Sequence, residues 1–307
     1  MKAIQYKAFG KSDVLELAEV AKPAITSDNE VLIKVKTATI NPFDIKVRSG
    51  FMQKMMPIQL PYVPGSDPAG IVEAVGAKVS HVKVGDEVMA SSTGGAYAEY
   101  VVVKEDKVLV KPAAISFVEA SSLVVPIGTA QSILFNEGKL AKGQRVFIQG
   151  ASGAVGGIMI QMAKAVGAYV IGTTSGKGLD FIKSLGADEA IDYKGKDFTA
   201  NIKDIDLVVD GAGGEAQPKL FEVLKKGGKL ISIVMPPSAE LAANYGVEAK
   251  FISSTINAKT IAPGLQLLKE GKLKPFVSKL FKLADAAEAQ DYVSAGGVNG
   301  KVVLEVQ

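Results

Sequence analysis

A turn of small residues between an apolar strand and a helix is the segment whose spacing most directly indicates chemistry. The apolar run 146–149 leads into Gly150, Ala151 and Gly153, and a helix is predicted to begin at Ala154. Gly153 would let the backbone approach a phosphate, and Gly156 would let the helix pack closely on the strand. Main-chain N–H groups and the positive end of the helix dipole would then face the phosphates. The segment therefore predicts a dinucleotide site, although Ala151 replaces the first glycine of the strict Gly-x-Gly-x-x-Gly pattern.

Two other kinds of site fit this region less well. Residues 150–154 resemble the Gly-x-Ser-x-Gly nucleophile elbow, but Ala154 replaces the last glycine and the sole histidine, His81, precedes the serine. Residues 172–178 resemble a P-loop that is one residue short, with Gly178 where Ser or Thr would reach magnesium. A serine hydrolase and a phosphoryl-transfer enzyme are both disfavoured.

The segment after the next strand indicates which dinucleotide is bound. An NAD site places a carboxylate on the ribose about 20 residues beyond the glycines, whereas here none follows residues 172–177 until Asp180. Ser175 and Lys177 could instead donate to a 2′-phosphate, and a charge-assisted hydrogen bond contributes roughly 1.5–3 kcal/mol. These residues predict NADP(H), with a merely solvated Lys177 in a surface loop as the alternative.

Composition excludes several classes of function. The 307 residues suggest two domains, and 35 Lys plus Arg against 32 Asp plus Glu leave a net charge of +3, too small to predict a nucleic-acid partner. With no cysteine and one histidine, disulfides, thiolate zinc clusters and two-histidine metal sites are excluded. No N-terminal apolar signal is seen and no apolar run approaches the ~18 residues of a membrane span. We expect a cytoplasmic protein without a membrane partner.

Hydrophobic periodicity changes along the chain. Short, punctuated apolar runs at 33–36, 71–75, 87–90 and 97–103 predict an antiparallel barrel or sandwich over residues 1 to about 117. Residues 117–135 predict a helix broken at Pro126 and Gly128. From 145 onward strands and helices alternate, which predicts a parallel sheet with helices on both faces. The predicted strands are 146–149, 169–173, 190–192, 207–210, 230–234 and 250–254, and helices begin at 154, 179 and 215. A helix at 262–270, a strand at 279–283, a helix at 284–294 and a strand at 301–306 follow, and this tail could return to the first domain.

Motifs in a fixed order along nearly the whole chain carry a family resemblance. The chain resembles the zinc-free quinone oxidoreductase branch of the medium-chain dehydrogenase/reductase superfamily, which includes zeta-crystallin-like and plant enone reductase-like members. The matching segments, besides the glycine turn, are 41–44 (Asn-Pro-Phe-Asp), 48–50 (Arg-Ser-Gly), 61–67 (Pro-Tyr-Val-Pro-Gly-Ser-Asp), 84–88, 95–100, 128–130, 185–188 and 300–304.

The resemblance implies an α/β fold class with two domains. A GroES-like β-barrel catalytic domain would span 1–117, completed by 256–307, and a Rossmann domain with a doubly wound parallel sheet would bind NADP(H) over 118–255. Zinc-dependent relatives place a cysteine and a histidine where this chain has Asn41 and Ser66, and their four-cysteine lobe is missing, so we expect metal-free chemistry.

The resemblance also implies positions for the cofactor. Thr129 would contact the nicotinamide, residues 152–155 the pyrophosphate, and Ser175, Lys177 and Tyr193 the 2′-phosphate. Residues 211–214, 233–235 and 251–253 would line the rest of the cofactor groove. For Tyr193 the alternative is a half-exposed aromatic at a strand end, and for 233–235 and 251–253 it is sheet core. The complete set of implied cofactor residues is Thr129, Ser152, Gly153, Ala154, Val155, Ser175, Lys177, Tyr193, Gly211, Ala212, Gly214, Ile233, Val234, Phe251 and Ser253.

Reduction of a quinone or an activated C=C bond places negative charge on a carbonyl oxygen, which donors must stabilise. Asn41 and Tyr62 are the candidate donors, with Asp44 orienting neighbours. Each has a structural alternative: Asn41 as a turn residue, Asp44 as a helix cap and Tyr62 as a barrel-rim aromatic. Asp67 is interpreted as a turn residue, with a functional role as the alternative, and His81 is predicted to be a surface residue at a strand end.

The resulting functional prediction is an NADPH-dependent reductase of quinones or α,β-unsaturated carbonyls. The partner would be a small apolar substrate that accepts the hydride. An adaptable apolar wall of the substrate cleft would be formed by Phe51, Met52, Met55 and Met56, with barrel core or loop packing as the alternative. Many relatives carry a tyrosine where this chain has Phe51-Met52. The alternative is a non-catalytic NADPH-binding protein of sensor or crystallin type, including one that contacts RNA. A homodimer joined through the edge strand 250–254 is expected.

Overall fold

The computed structural model describes residues 1–194 and 197–306. The strands are β1 Lys2–Gln5, β2 Glu16–Glu19, β3 Glu30–Ile40, β4 Ala69–Val75, β5 Glu87–Ala90, β6 Tyr100–Lys104, β7 Val108–Val110, β8 Arg145–Gln149, β9 Tyr169–Thr174, β10 Glu189–Asp192, β11 Ile205–Asp210, β12 Leu224–Ser232, β13 Glu248–Phe251, β14 Val277–Lys282 and β15 Lys301–Glu305. The α-helices are α1 Pro42–Arg48, α2 Phe117–Gln131, α3 Ala154–Ala165, α4 Gly178–Ser184, α5 Ala239–Tyr245, α6 Ala258–Lys269 and α7 Ala286–Ser294.

The chain divides into two compact units. The first contains Met1–Val125, Ile256–Ala258 and the residues from Pro275 onward, and the second contains Pro126–Thr255 and Lys259–Lys274. The sequence assigned all of 256–307 to the first domain, but residues 259–274, which include most of α6, belong to the second unit. The reason is close packing: a side chain at Gly264 would overlap the side chain of Ile127.

A mostly antiparallel sheet forms the first unit. Its strand order is β14-β15-β3-β4-β5-β7, with β6 also paired to β3, and only β14 and β15 are parallel. Alternate residues of β3, such as Val31, Ile33 and Val35, face an apolar core with Val72 and Val88. The C-terminal strand pairs with β3, which confirms the prediction that the tail returns to the first domain.

A parallel six-stranded sheet forms the second unit and confirms the doubly wound prediction. Its order is β10-β9-β8-β11-β12-β13, so the chain crosses from one side of β8 to the other after β10. Phe147, Val208, Phe221 and Leu230 are buried together in its core. Ligands of such sheets bind outside the carboxyl ends of the strands, at the point where the order reverses. That point lies at the ends of β8 and β11.

One predicted helix is wrong. Instead of a helix from Glu215, the chain forms two short 3₁₀ turns, Gly214–Ala216 and Pro218–Phe221. Gly213 and Gly214 have φ of 68° and 71°, outside the helical region, and Pro218 has no N–H to donate to a helix.

The predicted break in the helix over 117–135 is also wrong. Pro126 lies inside the continuous helix α2, which passes into a π-helical segment, Ser132–Glu137. Leu123, Val124 and Ile127 are fully buried, so tertiary packing outweighs the hydrogen bond that proline removes.

Phe117–Glu137 is also long and apolar enough to cross a membrane, contrary to the expectation that no run approaches this length, but 72% of its apolar window is buried inside the protein. It is a core helix.

Candidate functional site

The glycine turn after β8 presents an uncapped helix N-terminus. Gly150 has φ of 76°, a conformation that favours glycine, and Gly153 is the N-cap of the twelve-residue helix α3. In the described chain no side chain caps this end, and its first turn contains no acidic residue. The first-turn N–H groups of a helix lack intrahelical partners and attract anions. The turn therefore fits a pyrophosphate.

Close packing explains both the spacing of the glycines in the turn and its one departure from the strict pattern. A side chain at Gly156 would overlap the carbonyl oxygen of Gly150, so glycine is needed for α3 to approach the strand. Ala151 is buried, and a side chain at Gly172 would come within 2.7 Å of its methyl group. Gly172 in β9 thus provides the space that Ala151 occupies, and the substitution leaves the turn intact.

The predicted 2′-phosphate residues lie around the end of β9. Thr174 donates a hydrogen bond to Ser152 Oγ at 2.7 Å, which joins the two turns. Ser175 follows directly, Lys177 is an exposed residue at the start of α4, and the Tyr193 N–H donates to the Thr174 carbonyl at 3.2 Å. The Tyr193 side chain is 51% exposed. The structure brings these positions to one strand end, and their binding roles stay predictions.

The other implied cofactor residues follow the ends of three neighbouring strands. Residues 211–214 follow β11, residues 233–235 follow β12, and Phe251 and Ser253 lie at and beyond the end of β13. Because these strands are parallel and adjacent, the segments share one edge of the sheet. Thr129 is a buried residue of α2.

Asp210, the last residue of β11, is a site residue that was not predicted from the sequence. It is fully buried, and its carboxylate accepts hydrogen bonds from the N–H groups of Ala212 and Gly213 and from the side chains of Gln217 and Ser232. An aspartate at the end of an apolar strand, directly before a glycine turn, was the available signal.

In the first unit, Asn41 and Asp44 meet at the start of α1. Asn41 is the N-cap with extended backbone dihedrals, and Pro42 stands at the first helical position, where its missing N–H costs nothing. The Asp44 carboxylate accepts a hydrogen bond from the Asn41 N–H at 2.9 Å. This contact supports the helix-cap reading of Asp44, and it also holds the backbone that carries Asn41.

The Asn41 carboxamide belongs to a buried network that includes an ion pair. Its Nδ2 donates to Asp67 Oδ2 at 3.0 Å, and its Oδ1 accepts from Lys301 Nζ at 2.6 Å. Lys301 Nζ is also 3.2 Å from Asp67 Oδ2, and the two side chains are 4% and 0% exposed. Thr39 donates to the same carboxylate oxygen at 2.6 Å. The amide orientation is therefore set by its partners, since an ammonium requires the oxygen and a carboxylate requires the NH₂ group.

The prediction for Asp67 was incomplete, and Lys301 was missed. Asp67 carries the central charge of the network rather than serving only a turn. Lys301 lies 260 positions from Asn41, and a lysine next to an apolar strand gives no local sign of burial. Only the pairing of β15 with β3, with Val302 opposite Ile40, brings it to Asn41.

Burial strongly affects the titration of Asp44. Loss of solvent raises the pKa of its carboxyl group to about 6, with hydrogen bonds from the Asn41 N–H and Tyr97 opposing the rise and the charge of Asp67 adding to it. The Tyr97 hydroxyl donates to Asp44 Oδ2 at 3.0 Å, and Ser66 Oγ donates to Oδ1 at 3.3 Å. Asp44 thus joins Asn41 to two hydroxyl groups.

Tyr62 is engaged elsewhere. Its hydroxyl donates to the Thr93 carbonyl at 2.9 Å, and its ring packs edge-on against Tyr6 at 5.7 Å between centroids. Burial raises the pKa of Tyr62 to about 12, with the charge of Asp44 adding to the effect. The rim-aromatic reading describes these contacts, and its role as an oxyanion donor stays a prediction.

Zinc does not fit the positions where the resemblance placed its ligands. Asn41 Oδ1 accepts from the Lys301 ammonium, which would repel a cation, and Ser66 Oγ is turned to Asp44. Across residues 1–194 and 197–306, no three His, Cys, Asp or Glu side chains form a group that could hold a metal ion.

Comparison with known proteins identifies the family. Residues 27–113 match the family model described as "Alcohol dehydrogenase GroES-like domain", and residues 185–304 match that described as "Zinc-binding dehydrogenase". The chain is 35% identical to the chloroplastic quinone-oxidoreductase homolog of Spinacia oleracea, over 99% of this chain and 98% of that protein. It is 37% identical to the 2-methylene-furan-3-one reductase of Solanum lycopersicum, over 99% of this chain and 79% of the relative.

Solved structures agree with these relatives. The quinone oxidoreductase of Coxiella burnetii superposes with a TM-score of 0.93 at 34% identity, over 100% of this chain and 99% of that chain. The Escherichia coli quinone oxidoreductase, solved in complex with NADPH, gives 0.91 at 26% identity over 100% of both chains. The protein is an oxidoreductase with NADP(H) as its cofactor, and its fold is a GroES-like β-barrel domain with a Rossmann domain. The chain belongs to the zinc-free quinone oxidoreductase branch of the medium-chain dehydrogenase/reductase superfamily.

Proposed function

We propose that the protein reduces a quinone or an α,β-unsaturated carbonyl compound, with Asn41 stabilising the oxygen on which negative charge develops. The observation that carries the proposal is the Asn41 carboxamide, whose orientation Lys301 and Asp67 set from both sides. The names of the spinach and tomato relatives, a quinone-oxidoreductase homolog and a 2-methylene-furan-3-one reductase, support the two acceptor classes, because 2-methylene-furan-3-one is an α,β-unsaturated carbonyl compound.

Bound NADPH supplies the hydride. A carboxamide NH₂ group has two hydrogens, and that of Asn41 uses one on Asp67 Oδ2. Within residues 1–194 and 197–306 the second hydrogen has no hydrogen-bond partner, so it would be available to the acceptor oxygen. Because both partners of the amide are buried and charged, Asn41 does not have to reorient as charge develops, which is the condition for effective electrostatic stabilisation.

Asp44 would position Asn41 rather than contact the acceptor. Its carboxylate holds the Asn41 N–H at 2.9 Å and receives the Tyr97 hydroxyl. Tyr62 lies on the same unit with its hydroxyl proton donated to Thr93, so any contact with the acceptor would first cost that hydrogen bond. Asn41 is therefore the stronger candidate donor.

Steady-state NADPH oxidation with a panel of quinones and enones tests the proposal. We expect turnover by the wild type, and a 100- to 1,000-fold lower kcat for Asn41→Ala because one oxyanion donor is lost. The dissociation constant for NADPH should stay within twofold. Asn136→Ala, an exposed change, is the matched control and should leave kcat unchanged. An Asn41→Ala variant with wild-type kcat would remove Asn41 from the mechanism.

The oxidoreductase relatives favour a catalytic role over a protein that only binds NADPH. Tight NADPH binding with no turnover on any member of the panel would contradict both acceptor classes.

For assembly, we propose a homodimer formed through β13, one of the two edge strands of the parallel sheet. Sedimentation as a monomer at micromolar concentration would contradict the dimer.

A further inference from the structure

The ends of β11 and β12 are tied together by a single buried carboxylate. Asp210 Oδ1 accepts from the N–H groups of Ala212 and Gly213 at 3.2 and 2.7 Å. Its Oδ2 accepts from Gln217 Nε2 at 2.7 Å and from Ser232 Oγ at 2.9 Å. All four partners donate, so both side-chain oxygens of Asp210 act only as acceptors. Only a carboxylate can accept hydrogen bonds with both of its oxygens in this way.

The network reaches the loop after β12 as well. Ser232 Oγ accepts from the N–H groups of Val234 and Met235, each at 3.3 Å. Gln217 Nε2 lies 3.4 Å from the Met235 carbonyl oxygen. The Asp210 carboxylate therefore holds the loop 211–214 in place directly. It holds the loop 233–235 in place through Ser232 and Gln217.

Close backbone packing restricts the conformation of the loop 211–214. A side chain at Gly211 would come within 2.7 Å of the Gln149 carbonyl oxygen, so the loop lies close to the end of β8. Gly213 has φ of 68°, and a side chain there would meet Val234 at 3.0 Å. The two loops thus contact each other, and Asp210 lies beneath both.

The sheet order indicates which part of the cofactor these loops would meet. A dinucleotide lies across the carboxyl edge of the sheet with its pyrophosphate at the switch point. Here the candidate 2′-phosphate residues follow β9, on one side of β8, and the Asp210 loops follow β11 and β12, on the other side. We propose that Asp210 is a positioning residue that holds the loops receiving the nicotinamide half of NADP(H), without contacting the cofactor itself.

Asp210→Asn tests this role while keeping the shape of the side chain. An amide presents its NH₂ group to two of the four donors. If the NH₂ group faces the N–H groups of Ala212 and Gly213, the loop 211–214 loses its acceptor. If it faces Gln217 and Ser232, these side chains must reorient, which weakens their support of the loop 233–235. In titration calorimetry we expect the dissociation constant for NADPH to rise at least tenfold. The constant for 2′,5′-ADP, which lacks the nicotinamide half, should change less than twofold.

A matched control lies at the opposite end of the same strand. Asp206 accepts from the Arg145 N–H at 2.8 Å and pairs with Lys225, away from the carboxyl edge. Asp206→Asn should leave both dissociation constants unchanged. This comparison separates positioning from a general weakening of β11, which would affect both variants and both ligands.

A second variant keeps the test decisive if Asp210→Asn does not fold. Ser232→Ala removes only the link to the loop 233–235, and we expect it to weaken NADPH binding about threefold with 2′,5′-ADP unaffected. Equal losses for the two ligands in either variant, or unchanged NADPH binding in both, would overturn the proposal. Neither measurement involves an acceptor, so the outcome is independent of quinone or enone turnover.

Discussion

Asp44 is a carboxyl group whose charge the fold disfavours. Its ordinary pKa of 3.8 is raised to about 6, chiefly by burial. Between these two values the folded protein binds a proton that the unfolded chain has lost. Stability contributed by this proton is fully present below pH 3.8 and is lost as the pH rises through 6.

Comparison of the wild type with Asp44→Asn should reveal this proton. From the linkage relation we expect the free energy of unfolding of the wild type, relative to the variant, to fall by about 2 kcal/mol between pH 4 and pH 7. Urea denaturation of both proteins at several pH values measures the difference, in which titrating groups that do not interact with Asp44 cancel. A difference that does not vary with pH would contradict a raised pKa.

Lys177 offers a test of cofactor choice at a single side chain. Lys177→Ala should weaken NADPH binding about tenfold and leave NADH binding nearly unchanged, because only NADPH carries the 2′-phosphate. Fluorescence titration with both cofactors measures this ratio. Lys183→Ala, an exposed change on the same helix, is the control and should alter neither affinity. Equal losses for the two cofactors in Lys177→Ala would remove the lysine from the phosphate site.

At the scale of elements, the approach of α3 to β8 is the feature most sensitive to a single methyl group. A side chain at Gly156 would overlap the Gly150 carbonyl oxygen and lie 2.7 Å from the Ala151 Cα atom. A side chain at the neighbouring Gly157 would meet the end of the Leu185 side chain at 3.1 Å and the Phe181 ring at an ordinary contact distance of 3.9 Å. The two glycines therefore differ in what they permit, although they are adjacent in one helix.

Gly156→Ala should lower the free energy of unfolding by about 1–3 kcal/mol and weaken NADPH binding, because α3 must move away from the turn. Gly157→Ala should be close to neutral, since the leucine can shift and alanine favours the helix by about 1 kcal/mol. Thermal unfolding and NADPH titration of the two variants provide the measurement. Similar losses in both would show that the close approach at Gly156 has no special importance.

Elements with strong local patterns were predictable and weakly patterned ones were not. The alternation of strand and helix from β8 onward follows from periodicity alone, and the sheet of six parallel strands confirms it. Helix α1 was predicted only through the alternative of Asp44 as a helix cap, because Asn41-Pro42 also begins turns and the helix has only seven residues. The predicted helix at Glu215 failed because the preceding glycines adopt positive φ, which composition alone does not show.

At the scale of the whole molecule, the C-terminal strand completes the first unit. Strand β15 lies between β14 and β3, and Val302, Val303 and Leu304 are buried. A chain that ends at Gly300 lacks this strand, so we expect the first unit to lose cooperative unfolding and resistance to proteolysis. Circular dichroism and limited proteolysis measure both. A chain that ends at Glu305 keeps β15 and should behave as the full chain does; equal behaviour of the two truncations would contradict the prediction.

Long-range pairing also limits what sequence can show about the candidate site. The glycine turn and the candidate 2′-phosphate residues Ser175 and Lys177 lie within about 30 positions of each other. Both can be recognised from short stretches of sequence. Asn41 was recognised through its motif, but the groups that orient it come from Thr39, Asp67 and Lys301, and the last is 260 positions away. Their arrangement depends on strand register, which no local pattern specifies.

The contact between Lys301 and Asn41 has a consequence for synthesis. During translation the second unit's glycine turn leaves the ribosome about 150 residues before Lys301 does, and Asn41 earlier still. Until β15 emerges, the Lys301 ammonium is not available to Asp67 or to the Asn41 carboxamide. The nucleotide turn is therefore synthesised well before the last group that orients the proposed oxyanion donor.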